Sequence, residues 1–309
     1  MRLLKEKYEG LLEVDGLPEY LKRLLSDFKI QEALQKSDFN TLYKELQKKV
    51  SYSGVSEFTQ LLVNLNIDPL NYLDSIPNGF LTCTPIQHIN IPDHITSIGK
   101  SAFEYCSKLM DVIIPDNVTS IGEYAFNNCT SLTRVTIPDS VKSIGSAAFY
   151  KCNGLTSVSI DNGVMSIGYR AFWGCTRLRS ITIPDSITGI GESAFSNCTD
   201  LASITLTNNI TTINSCLFEN CRALKSIVIP DKVTSIGYQV FLSCNNLTRV
   251  TIPDSVTSIS FGVFSDCEKL KEITYKGTKA DWNKIKKHPA WNSASAIKTI
   301  RCVDGDITL

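Results

Sequence analysis

Nine cysteines stand 23 residues apart, at Cys83, Cys106, Cys129, Cys152, Cys175, Cys198, Cys221, Cys244 and Cys267. A phenylalanine precedes each by three positions, from Phe80 to Phe264. Only Cys216 and Cys302 fall outside this array. Such register marks a chain built of short units, each too small to enclose a core, so that neighbours must stack and share one. In the unit around Cys152, apolar residues fall at Leu132, Val135, Ile137, Val141, Ile144, Ala148 and Phe149. The segment from Leu132 to Ile137 alternates as a short strand does, and Pro138-Asp139-Ser140 then ends it as a turn. Parallel strands about 4.8 Å apart then form a sheet along one face of the stack.

A glycine follows the unit's isoleucine at Gly99, Gly122, Gly145, Gly168, Gly191 and Gly237, and Asn214 replaces it once. Asparagine tolerates the left-handed region best after glycine, so the position is expected to require positive φ. Ser260 departs from the pattern, and a locally altered turn is expected there.

The units IPDNVTSIGEYAFNNCTSLTRVT and IPDSITGIGESAFSNCTDLASIT resemble the BspA-like, or Treponema-type, leucine-rich repeats, over about residues 76–275. Tyr275-Lys276-Gly277-Thr278, followed by Trp282, Ile285 and Trp291, is similar to the segment that closes many such proteins. The resemblance implies a curved solenoid with a role in binding or adhesion, often at a cell surface. The expected fold is therefore α/β. A leucine-rich-repeat solenoid with a parallel sheet on one face occupies 76–275, an all-α domain (1–75) precedes it, and a capping segment (276–309) follows.

Residues 1–75 lack the period and carry helical stripes: Leu21, Leu24, Leu25 and Phe28; Phe39, Leu42, Tyr43 and Leu46; Phe58, Leu61, Leu62 and Leu65. Asp68-Pro69 reads as a cap and first turn, and the helices are expected to cover the open end of the stack. At the other end, Thr278 through Asp281 has capping-box spacing for a helix to about Lys287, and Ile297 to Cys302 reads as a last strand.

Free cysteine packs as a small hydrophobe, so the repeat thiols are expected to be buried and reduced, leaving Cys216 or Cys302 to react first. No close pair of metal-ligand spacing exists, and His88, His94 and His288 sit in no catalytic motif. No cofactor or metal is expected. The 31 basic and 31 acidic side chains cancel, which leaves no global field for nucleic acid or anionic membrane. The charged N-terminus has no signal-peptide core, and no segment approaches the roughly 20 apolar residues of a membrane span, so a cytoplasmic location is expected.

Aromatic and arginine side chains, enriched at binding hot spots, collect on the turn side at Tyr124, Tyr150, Tyr169, Arg170 and Trp173. The outward sheet columns are mostly serine and threonine, with His88, Arg134 and Arg249 as isolated anchors. The expectation is a non-enzymatic scaffold that binds a protein partner inside the cell. An exported adhesin or host-interaction protein is the first alternative, and an enzyme with its site at the helix–solenoid junction is the second.

Overall fold

The computed structural model describes residues 17, 19–36, 38–64 and 68–309. Among them, four helices come first: α1 (Glu19–Leu25), α2 (Phe28–Lys36), α3 (Phe39–Lys49) and α4 (Tyr52–Asn64), followed by a 3₁₀ turn at Pro69–Tyr72. The chain then winds into coils of 23 residues. Nine strands, from His88–Asn90 to Glu272–Tyr275, form one face. Two-residue strands such as Ser143–Ile144 run along a second. Pairing is parallel with a one-unit offset, as in Arg134↔Ser157, Ser203↔Ser180 and Ser226↔Arg249.

The inward set read from the unit at Cys152 is buried throughout, Leu132, Ile137, Phe149 and Cys152 fully. Phe126, Phe149, Phe172 and Phe195 stack face to face at 5.2, 5.3 and 5.5 Å between centroids. The cysteines add polar bonds to this core. Each thiol of the array from Cys106 to Cys267 donates to a carbonyl of the preceding coil, for example Cys152 to Phe126 at 3.1 Å and Cys175 to Phe149 at 3.2 Å. The phenylalanine carbonyl also accepts its own unit's cysteine N–H, so the thiol reaches an oxygen already used once.

The glycine column requires a different explanation from the expected one. Gly99 through Gly237 are absent from the residues of positive φ. Close approach is the reason for glycine: a Cβ on Gly145 would lie 2.6 Å from the Gly122 carbonyl. Asn214 marks the one interruption of the short-strand ladder, between Gly189–Ile190 and Thr212–Ile213. Its side-chain amide donates to Ile190 O at 2.6 Å, where the other units use the backbone N–H. Ser260 does not alter its turn, because its N–H donates to Ile236 O at 3.0 Å as Gly237 does one unit earlier. The left-handed residues lie elsewhere, two before the phenylalanine (Tyr124, Ala147, Arg170) and one before the cysteine (Asn128, Lys151, Gly174).

The thiol expectations need two corrections. Cys83 is exposed, with φ +62°, and Cys216 is buried. Thr84 takes the place beneath Cys106, its Oγ1 3.5 Å from that sulfur, so the first array member slips out of the core. Cys216 sits at a left-handed turn position and is only 7% exposed.

The helices cover the first coil. Tyr43 packs on Phe80 at 5.7 Å, and Ser56 Oγ donates to Thr82 O at 2.8 Å. The stripe of α3 is buried as expected, as are Phe58 and Leu62, whereas Leu61 is half-buried and Leu65 lies outside the described residues. Phe28 departs from its stripe and is 75% exposed. Asp27 Oδ1 accepts from the Lys29 and Ile30 N–H groups, so Phe28 opens a new helix rather than continuing α1. At the far end α5 (Lys279–Lys284), capped by Thr278, stops before Lys287. Lys286–Lys287 instead pairs with Ser258–Ile259 as a short strand. Thr299–Cys302 closes the sheet beside Glu272–Tyr275, and a strand not expected from the sequence, Gly305–Thr308, returns antiparallel to it.

Candidate partner-binding surfaces

Two left-handed residues per coil make the turn side a series of tight corners, and the aromatic side chains project from these corners. Tyr150 and Trp173 hold equivalent positions in adjacent coils, one after the core phenylalanine. Their rings stack at 4.7 Å and 9°, and both are half-buried. Lys151 Nζ lies 5.4 Å from the first ring and 5.7 Å from the second. Tyr169 and Arg170 form a second grouping, with the guanidinium 4.9 Å from the ring, and both are exposed. Tyr124 belongs to a third, under Lys100 Nζ at 5.7 Å, and Lys100 also pairs with Glu123 at 2.6 Å. The five turn-side residues thus fall into three cation–aromatic groupings. In the stacked pair each ring covers a face of the other, so ring edges and the Lys151 ammonium face solvent.

On the sheet, His88 Nδ1 and Asp111 Oδ1 of the neighbouring strand are 2.8 Å apart. Arg134 and Arg249 are exposed at the strand starts. A shallow groove crosses the plain part of this face between Ser157, Ser159, Ser180, Thr182 and Thr205. A second groove of about 680 Å³ lies where the chain enters the sheet, and His88, Met110, Asp111, Arg134, Gly154 and Arg177 line it.

The cancelling charge totals conceal a segregation that sequence reading missed. Across the five residues that lead from each cysteine into its strand stand Lys108, Arg134, Arg177, Arg179, Arg222, Lys225, Arg249, Lys269 and Lys271, all exposed, against Asp111, Asp200, Glu268 and Glu272. In the turns that leave the strands stand Asp93, Asp116, Asp139, Asp161, Asp185, Asp231 and Asp254, also all exposed. Lys142, Lys232 and Lys276 oppose them, and Lys276 is paired to Asp231. One rim of the sheet is basic and the other acidic. Tabulating charge by position within the period would have revealed it.

The buried nucleophiles are inert. Burial pushes the Cys106 thiol up to about 11 and those of Cys152 and Cys198 up to about 12, so no thiolate is available near neutral pH. Among the described residues, no group of three or more His, Cys, Asp or Glu is placed to hold a metal ion. No helix among them is long and apolar enough to cross a membrane.

The sequence model of one family, described as the BspA type leucine-rich repeat region, matches residues 74–202 and 166–295. Among solved structures, a leucine-rich repeat protein of Bacteroides ovatus is similar at 33% identity, covering 68% of this chain and 59% of its own, with a TM-score of 0.54. A leucine-rich cell surface protein of Faecalibacterium prausnitzii shares 28% identity over 70% of this chain and 80% of its own, with a TM-score of 0.41. The leucine-rich repeat protein of T. pallidum shares 29% over 57% and 72%, at 0.42. Comparison with curated proteins yields no match.

Proposed function

Because the chain belongs to the family of proteins with BspA type leucine-rich repeats, we propose that it is a non-enzymatic scaffold whose solenoid binds another protein. Residues 76–275 present the surface, 276–309 close one end, and the helices of 1–75 cap the other and offer a second docking face. The observation that carries this reading is the turn-side grouping of Tyr150, Trp173 and Lys151, with exposed Tyr169 and Arg170 in the same coil as Trp173. Aromatic and arginine side chains bury large area at low conformational cost, which is what a protein interface requires. The core residues, by contrast, are consumed by packing and carry no reactive group. Eleven unpaired cysteines favour a reducing, intracellular setting. Recovery of the native chain from the cell surface would contradict that part.

The test is the double variant Tyr150→Ser with Trp173→Ser, measured by capture of partners from native cells. Loss of capture is the expected result, with the melt lowered by the lost ring stack yet still cooperative. A second variant, Arg134→Ala with Arg249→Ala, supplies the contrast. If it abolishes capture while the aromatic pair does not, the partner sits on the sheet and the turn-side assignment fails.

A further inference from the structure

The basic rim has a chemistry of its own, and it borders a groove that runs between Arg134 and Arg177. Lys108, Arg134, Arg177 and Arg179 are exposed, and none makes an ion pair among the described residues. One carboxylate, Asp111, lines the groove one coil before Arg134 and is engaged by His88 at 2.8 Å, and Asp200 stands one unit beyond Arg177. Gly154 lies in the coil between the two arginines. It is fixed as glycine by close approach, since a Cβ there would stand 2.5 Å from Thr130 O. With no side chain at that point, the groove runs open from Arg134 to Arg177 past Met110.

Geometry limits what fits. Coils repeat at about 4.8 Å, so Arg134 and Arg177, two coils apart, are separated along the axis by roughly 10 Å. A segment in the extended polyproline II conformation rises about 3.1 Å per residue with three residues per turn, so carboxylates three positions apart lie on one face about 9 Å apart, within reach of the two flexible arginine side chains. The strands between the rims are three to four residues long, which places the aspartate rim only about 10–13 Å away. A polyanion as broad as a nucleic-acid duplex would overlie both rims and meet Asp139 and Asp161, whereas a single extended chain need touch only the basic one. Guanidinium groups also pair with carboxylates bidentately, which gives register as well as attraction.

We propose that this rim is a docking site for an extended acidic segment of a protein partner, with carboxylates at every third residue. The proposal rests on the scaffold reading and adds the chemistry of what is bound. It is tested with a labelled 12-residue peptide carrying glutamate at every third position, with serine and glycine between, by fluorescence anisotropy at low and moderate salt. The expected result is saturable binding that weakens with salt, is absent for the glutamine counterpart, and falls at least tenfold in Arg134→Glu with Arg177→Glu. Asp139→Asn with Asp161→Asn on the opposite rim should leave the peptide's affinity unchanged or raised. All four positions are exposed, and a thermal melt verifies that the variants fold. Absence of binding, indifference to the arginine reversals, or tighter binding of a duplex oligonucleotide would overturn the proposal. If the peptide fails while partner capture through Trp173 persists, the rim assignment falls alone. If capture also fails in wild-type protein, the scaffold reading falls with it.

Discussion

Phe172→Ala is expected to destabilise the protein by about 3–5 kcal/mol, the range for truncating a buried aromatic side chain. Phe172 is fully buried, parallel to Phe149 at 5.3 Å and 2° and to Phe195 at 5.5 Å and 1°. Removing it ends two stacks at once, each worth about 0.5–1.5 kcal/mol beyond its buried area. It also opens a void between coils that hold each other in place, since stability in a solenoid resides in the interfaces between units. Thr182→Ala, outward on the sheet of the next unit, should change stability by no more than about 0.5 kcal/mol. Denaturant unfolding of both variants provides the measurement. Equal losses would mean that inward and outward faces have been confused.

Alkaline pH should unfold the protein in a step governed by the thiol ladder. Thiols exposed by unfolding titrate near 9, while the native Cys106 holds its proton to about 11 and Cys152, Cys198 and Cys267 to about 12. Burial is the main cause in each case. Between these limits the unfolded state binds fewer protons than the native one, so stability falls as pH rises. The thiol contribution is fully present below pH 9 and is lost through about pH 12. Each buried thiol contributes about 1.4 kcal/mol per pH unit in that window. Eight of the nine array members are buried. Their joint slope is on the order of 10 kcal/mol per unit, comparable with the whole stability of an ordinary domain. Circular dichroism against pH, in the presence of reductant, should therefore show a steep collapse above pH 10. Replacing Cys129, Cys152 and Cys175 by alanine should make that transition shallower, although it weakens the core at neutral pH. A transition of unchanged steepness would show that the thiols do not govern it.

Much of the fold was legible because a 23-residue period states its inward positions repeatedly. Leu132, Val135, Ile137, Val141, Ile144, Phe149 and Cys152 are buried as read, and the Thr278 and Asp68 caps form at their expected places. What escaped depended on contacts between coils. Glycine serves both positive φ and close approach, and a sequence cannot distinguish the two. At Gly145 the neighbouring backbone decides. Cys83 follows the period, yet no preceding repeat lies beneath it, and Thr84 fills its place. Phe28 satisfies a helical stripe that Asp27 has already ended. The turn-side residues were visible as residue types, but the ring-on-ring stacking that half-buries Tyr150 and Trp173 needed coordinates. The opposed rims were hidden by a net charge of zero, because the total discards position.

Site-specific crosslinking in intact native cells tests the central claim most directly. A photoreactive residue is placed in turn at Tyr169 on the turn side, at Arg134 on the basic rim, and at Val63, an exposed position on α4. The solenoid-scaffold account predicts a discrete protein adduct from Tyr169 or Arg134 in the full chain, competed away by excess unmodified protein. Adducts formed only from Val63, or none from any position, would contradict it and shift the binding role to the helices or away from protein recognition altogether.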